Sequence, residues 1–148
     1  MGLVKSLRKR GRGRRESGAF LLGKSDTNGR HVEAVAYYDE LDPRCLDFGN
    51  IEFHAAGYSA LWDLCEKRGL KVIADVHTHP GGDVHQSHID REHPMIPVEG
   101  HVALILPHFG AASGWSLADV GLYVFGGNRR WTSSTHNAPD SPVRLCLW

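Results

Sequence analysis

Long apolar runs are missing from this chain of 148 residues. No stretch approaches the roughly 20 consecutive apolar residues that span a bilayer, and the basic start is not followed by an apolar signal core. A soluble, cytoplasmic protein with no membrane partner is expected. Cysteine is scarce and odd in number: Cys45, Cys65 and Cys146 show no CxxC spacing. That argues against a disulfide framework and against a thiolate metal cluster, and it suits a reducing compartment. Net charge is missing as well, being formally zero. The zero hides an asymmetry, because seven of the 17 basic residues (Lys5, Arg8, Lys9, Arg10, Arg12, Arg14, Arg15) lie in the first 15 positions. Residues 16–148 keep ten basic against 17 acidic residues, a body of −7 attached to a segment of +7. No internal repeat is present, and the length suits one domain.

What is there falls into strands and one clear helix. Residues 1–15, dense in Lys, Arg and Gly, read as a basic flexible tail, either solvated or resting on the acidic body. Nucleic acid is the less favoured partner for such a tail, and the short acylation-like start Met1 to Ser6 carries little weight. Residues 16–148 form a single domain. Glu16 to Gly23 is a short apolar strand, Lys24 to Arg30 a polar turn, and His31 to Tyr38 a second strand, predicting a hairpin. Asp39 to Pro43 reads as a turn. Tyr58, Leu61, Trp62 and Cys65 stand at offsets 0, 3, 4 and 7 within Phe53 to Arg68, one face of an amphipathic helix that Gly69 stops. Lys71 to His77 and Gly100 to Pro107 read as buried strands, Val120 to Phe125 as another, and Arg130 to Ser134 as an edge strand. The apolar end Leu145 to Trp148 is expected to pack on the body or a partner. Strand, strand, helix, strand points to a layered α/β domain.

The chemistry concentrates between His77 and Asp90. His77 and His79 are two apart at the end of a strand, so both imidazoles face one side, and Pro80-Gly81-Gly82 turns the chain away. A hydrolytic zinc ion takes three nitrogen or oxygen ligands and keeps a fourth position for water. His77, His79 and Asp90 supply that set, leaving net positive charge to acidify the water. The water still needs a base, and no carboxylate beside the motif is well placed for the task. Ser87 and Asp90 are three apart, which by itself suits a helix-capping box. It equally suits Asp90 on the metal and Ser87 donating to an oxyanion.

His77-Thr78-His79, seven residues, Ser87, two residues and Asp90 resemble in full the JAMM motif of MPN-type metallopeptidases. Glu16-Ser17-Gly18-Ala19-Phe20-Leu21-Leu22-Gly23 resembles the glutamate and small apolar strand that the family places upstream. The resemblance implies Glu16 as general base and proton shuttle, His77, His79 and Asp90 as ligands of one Zn²⁺, and Ser87 as the oxyanion donor. It implies a three-layer, cytidine-deaminase-like α/β fold with a central mixed sheet flanked by helices. It further implies an isopeptidase acting after the C-terminal glycine of a ubiquitin-like protein. The compact chain, with Asp75, Pro94 to Pro97 and Gly100-His101, is similar to the prokaryotic branch encoded beside E1-like and E2-like enzymes in antiviral operons. Those enzymes are the further partners expected.

Alternatives share the same five residues: a peptidase for a sulfur-carrier protein, or a phage-tail-type peptidase. RadC-like proteins, long linked to DNA repair, have a similar His-x-His-Pro segment, but usually with Asn where this chain has Thr78, and with an extra helical region at the front where this chain has only a short basic tail. His85, His88, His93 and His101 lie close to the motif, yet the ligand set is complete without them, so surface or supporting positions are expected. Asp83 and Glu92 suit a solvated loop, and Trp62 and Trp115 suit packing.

Overall fold

A computed structural model describes residues 2–136, 138, 139 and 141. Apolar residues on either side of a polar turn produce the predicted antiparallel hairpin, β1 (Gly18–Asp26) and β2 (Gly29–Tyr37). Four more strands join it: β3 (Lys71–Thr78), β4 (Val102–Leu106), β5 (Gly121–Phe125) and β6 (Trp131–Ser134). Their order is β2-β1-β3-β4-β5-β6, so the last strand lies at an edge as expected. Every neighbouring pair is antiparallel except β3 and β4. A parallel pair needs a crossover, and residues 79–101, which hold most of the motif, are that crossover.

Both faces of the sheet are covered. Ala19 and Leu21 point into one core, Phe20 and Leu22 into the other, as alternation along a strand requires. The second core is closed by α3 (Ala55–Arg68), through Leu61 and Cys65, and by the aromatic group of Phe20, Tyr38, Phe53 and Tyr58. All five residues of β4 are buried, in keeping with a central strand. The result is a three-layer α/β domain with a mixed sheet.

The first layer corrects the reading of residues 1–15 as a flexible tail. Leu3–Arg10 is a helix, α1, whose Leu3, Val4 and Leu7 pack on the first core. Leu7 is fully buried, and the Ser17 hydroxyl donates to its carbonyl at 2.8 Å. Arg10 pairs with Asp39 and Glu40 and lies over the Tyr37 ring at 3.8 Å. Three apolar side chains on one face suffice because the body supplies the matching surface, which composition alone does not reveal.

Two smaller differences follow from tertiary packing. Tyr38–Leu41 is a short helix, α2, where a turn is expected, because Tyr38 is drawn into the core at its start. Trp62 is 49% exposed. Its helix buries the stripe through Gly57, Leu61 and Cys65, and Trp62 stands one position, about 100° of helix, past it. The expected packing of Leu145 to Trp148, and Cys146 with it, lies outside the described residues.

Candidate active site

β1 and β3 bring together residues that are far apart in sequence. Gly18 pairs with His77, which sets Glu16 beside the carboxyl end of β3. Thr78, between the two histidines, is fully buried and fixes this junction. Its backbone N–H donates to the Ser17 carbonyl at 3.0 Å and its hydroxyl accepts from the Ser17 N–H at 3.1 Å. His79 continues the strand pairing through its N–H to the Leu106 carbonyl at 2.8 Å, and its own carbonyl accepts from Phe109. After Pro80-Gly81-Gly82 the chain leads into α4 (His88–Glu92), whose N-cap is Ser87.

His77, His79 and Asp90 converge. The two histidine Nε2 atoms lie 3.1 Å apart, and each is 3.4 Å from an Asp90 carboxylate oxygen. His79 Nδ1 faces the Asp83 carbonyl at 3.1 Å. A carbonyl only accepts, so that nitrogen carries the hydrogen and Nε2 presents a lone pair. His77 turns Nδ1 toward Asp75 at 3.9 Å, and its Nε2 likewise faces the cluster. Two imidazole nitrogens and a carboxylate oxygen this close repel one another unless a proton or a metal cation lies among them. Three ligands held about 2.0–2.1 Å from a tetrahedral ion would stand about 3.3–3.4 Å apart. The observed separations match that spacing, so the residues fit a metal ion.

The electrostatics agree. Burial by itself would lower the His77 imidazole, but the Asp75 and Asp90 carboxylates outweigh it and push its pKa up to about 10. Burial would raise Asp90, yet the adjacent His77 and His79 imidazoles and Ser87 hold it well below the usual carboxylate range. The field at the cluster therefore favours positive charge. Glu16 differs: burial raises its carboxyl above the ordinary value, against the pull of His77 and His79. A carboxyl with raised affinity for a proton suits a group that must take one and release it.

Ser87 forms the helix cap that its spacing allows. The capping box is present: Asp90 N–H donates to Ser87 Oγ at 3.1 Å, and Ser87 N–H donates to Asp90 Oδ2 at 2.7 Å. Oγ accepts in the cap and keeps its own hydrogen as a donor, within reach of the Asp90 carboxylate. Glu16, His77, Ser87 and Asp90 line one cleft of about 600 Å³, which runs on to Tyr58, Met95 and Trp131. Its walls are tied by Tyr58 Oη to the Met95 carbonyl (2.8 Å) and Trp131 Nε1 to the Arg91 carbonyl (3.2 Å).

Behind His77 lies a buried network that motif spacing does not disclose. Asp75 is 2% exposed and accepts from Tyr38 Oη at 3.1 Å and from His101 Nε2 at 2.6 Å. Burial would raise its carboxyl, but His101 and His77 hold it below the ordinary value. Gly18 makes room for the Tyr38 ring, since a Cβ there would lie 2.2 Å from a ring carbon. A lone acid in an apolar strand needs partners, and that was the available sequence signal. His85, His88 and His93 are exposed, His85 against Asp83 at 2.6 Å. Glu92 pairs with Arg129 at 2.9 Å.

A mixed sheet flanked by helices, with a His-His-Asp cluster beside a cleft that holds Glu16 and Ser87, suits a metallohydrolase. The chain belongs to the prokaryotic homologs of the JAB domain, whose family model matches residues 4–120. That membership supports a JAMM-type peptidase at the level of the family. The fold is similar to the solution structure of a protein from Desulfitobacterium hafniense, with a TM-score of 0.55 at 16% identity, covering 88% of this chain and 86% of that one. It is also similar to a protein from Salinibacter ruber, with a TM-score of 0.54 at 18% identity, covering 95% and 92%. No helix among the described residues is long and apolar enough to cross a membrane.

Proposed function

We propose that this chain is a zinc-dependent isopeptidase that cleaves after the C-terminal glycine of a ubiquitin-like protein, in a bacterial antiviral conjugation system. The observation that carries the reading is the His77, His79 and Asp90 cluster, two of whose members, His77 and Asp90, line one cleft with Glu16 and Ser87. His77, His79 and Asp90 would hold the ion. When bound, zinc supplies Lewis-acid polarisation of a carbonyl and acidifies a water.

The chain's own groups do the rest. Glu16 takes the proton from the water as its oxygen bonds to the scissile carbonyl carbon. Ser87 donates its hydroxyl hydrogen to the oxyanion that develops on that carbonyl. As the carbon–nitrogen bond breaks, Glu16 returns the proton to the leaving amine, so the carboxyl ends as it began. An exposed Ile89 at the rim of the cleft suits a folded protein substrate with an apolar surface. Processing and deconjugation use the same chemistry, and E1-like and E2-like enzymes would be the partners that supply conjugates.

Zinc-loaded protein incubated with fusions to several ubiquitin-like proteins should release the downstream segment after the terminal glycine, read by mass spectrometry. Glu16→Ala should keep one equivalent of metal and lose turnover on the order of 10²–10⁴-fold, the usual worth of a positioned base. Intact fusions with metal-loaded protein would count against the substrate class. Loss of metal in Glu16→Ala would overturn its role.

A further inference from the structure

The cations of α1 are not absorbed by the catalytic reading. Its apolar face is committed to the first core, and Arg10 to Asp39 and Glu40. Lys5, Arg8 and Lys9 are exposed on the other side. Arg12 and Gly13 both have positive φ, 55° and 64°, a sharp turn that brings Arg12 back beside them. Lys5, Arg8, Lys9 and Arg12 thus ring a groove of about 340 Å³, with Arg14 exposed just beyond. Among the described residues none of these five forms an ion pair, although the body carries the acidic excess. The groove lies across the sheet from the cleft that α3 borders.

We infer that this groove binds the phosphate backbone of duplex nucleic acid. A solvated tail holds no cation in place, whereas α1 rests on the body and fixes the cations on its outer side. Lys5 and Lys9 fall at i and i+4 of α1, about 6 Å along the axis, with Arg12 beside them, and phosphates on one strand recur about every 3.4 Å of rise. The exposed large apolar side chains among the described residues are Val32, Phe48, Trp62, Ile89 and Val98, and none is here. A protein interface would need an apolar or aromatic centre. A single strand would need aromatic platforms on which its bases stack. Insertion into a bilayer needs the apolar helix face that the body already occupies. Regularly spaced, sequence-independent phosphates fit what remains.

The test is fluorescence anisotropy of the full chain with a duplex of about 20 base pairs, with log K followed against log salt. Four neutralised phosphates give a slope of about −3.6 and a loss of affinity on the order of 10²-fold between about 50 and 200 mM salt. Lys5→Gln, Arg8→Gln, Lys9→Gln and Arg12→Gln combined should abolish binding and leave peptidase turnover unchanged. Lys9→Gln alone, which threatens the fold least, should reduce the slope by about 0.9. The inference is overturned by no binding at about 50 mM salt, by unaltered binding in the combined variant, or by tighter binding to anionic vesicles or polyglutamate than to the duplex.

Discussion

On the proposed function Ser87 and Asp90 each do two things, and substitutions can separate them. Ser87→Ala removes the acceptor for Asp90 N–H, which costs about 1 kcal/mol at a helix N-cap. It also removes the hydroxyl hydrogen available to an oxyanion. Turnover should fall on the order of 10²–10³-fold, while one metal per chain is retained by mass analysis. An equal fall in metal content would mean that Ser87 acts only by holding Asp90. The meeting of His77, His79 and Asp90 was legible in sequence because metal-ligand chemistry demands fixed residue types at fixed offsets. Which of the readings of Ser87 the backbone adopts was not legible, because the capping box depends on which atom of Ser87 accepts.

Asp75 shows what spacing cannot reveal. Its partners Tyr38 and His101 come from α2 and from the residue before β4, so only the assembled sheet joins them to His77. Replacing it with Asn keeps the volume and removes the charge facing His77 Nδ1. Metal affinity should drop about 10–100-fold, as for other groups behind a ligating histidine, measured by competition with a chromophoric chelator. His101→Gln, which can still donate to Asp75, should largely keep affinity, and His101→Leu should lose it. Metal-free melting separates this from simple instability. A variant that melts lower but binds metal as tightly as the parent would reduce Asp75 to a packing role.

At the scale of elements, the strands and α3 were legible because each carries a period, and the hairpin because a polar turn divides two apolar runs. α1 was missed for a definite reason. Seven cations in 15 residues outweigh Leu3, Val4 and Leu7 in any compositional reading, yet those three form one face that the sheet completes. Leu7→Ala tests the anchoring directly. Truncating a fully buried leucine costs about 2–5 kcal/mol, and in a domain of this size each kcal/mol lowers Tm by about 2–4 °C. A fall on the order of 5–15 °C by circular dichroism is expected. A solvated tail would give none.

For the whole molecule, the metal cluster sits at the end of the sheet and outside both cores. Zinc fingers unfold without their ion because little else holds them. Here Leu7, Leu21, Leu104 and Leu122 on one face, and Phe20, Tyr38 and Leu61 on the other, are buried independently of the cluster. Chelation should therefore leave secondary structure unchanged and lower only the margin of stability. A ligand that binds the folded state alone stabilises it by about 2.7 kcal/mol at a hundred times its Kd. For a domain of this length that is a rise in Tm on the order of 5–10 °C on adding zinc to stripped protein. Asp90→Ala should abolish the rise while circular dichroism of the metal-free variant stays native. Unfolding of the stripped parent at room temperature would instead make the cluster part of what holds the layers together. An equal rise in Asp90→Ala would place the stabilising ion elsewhere.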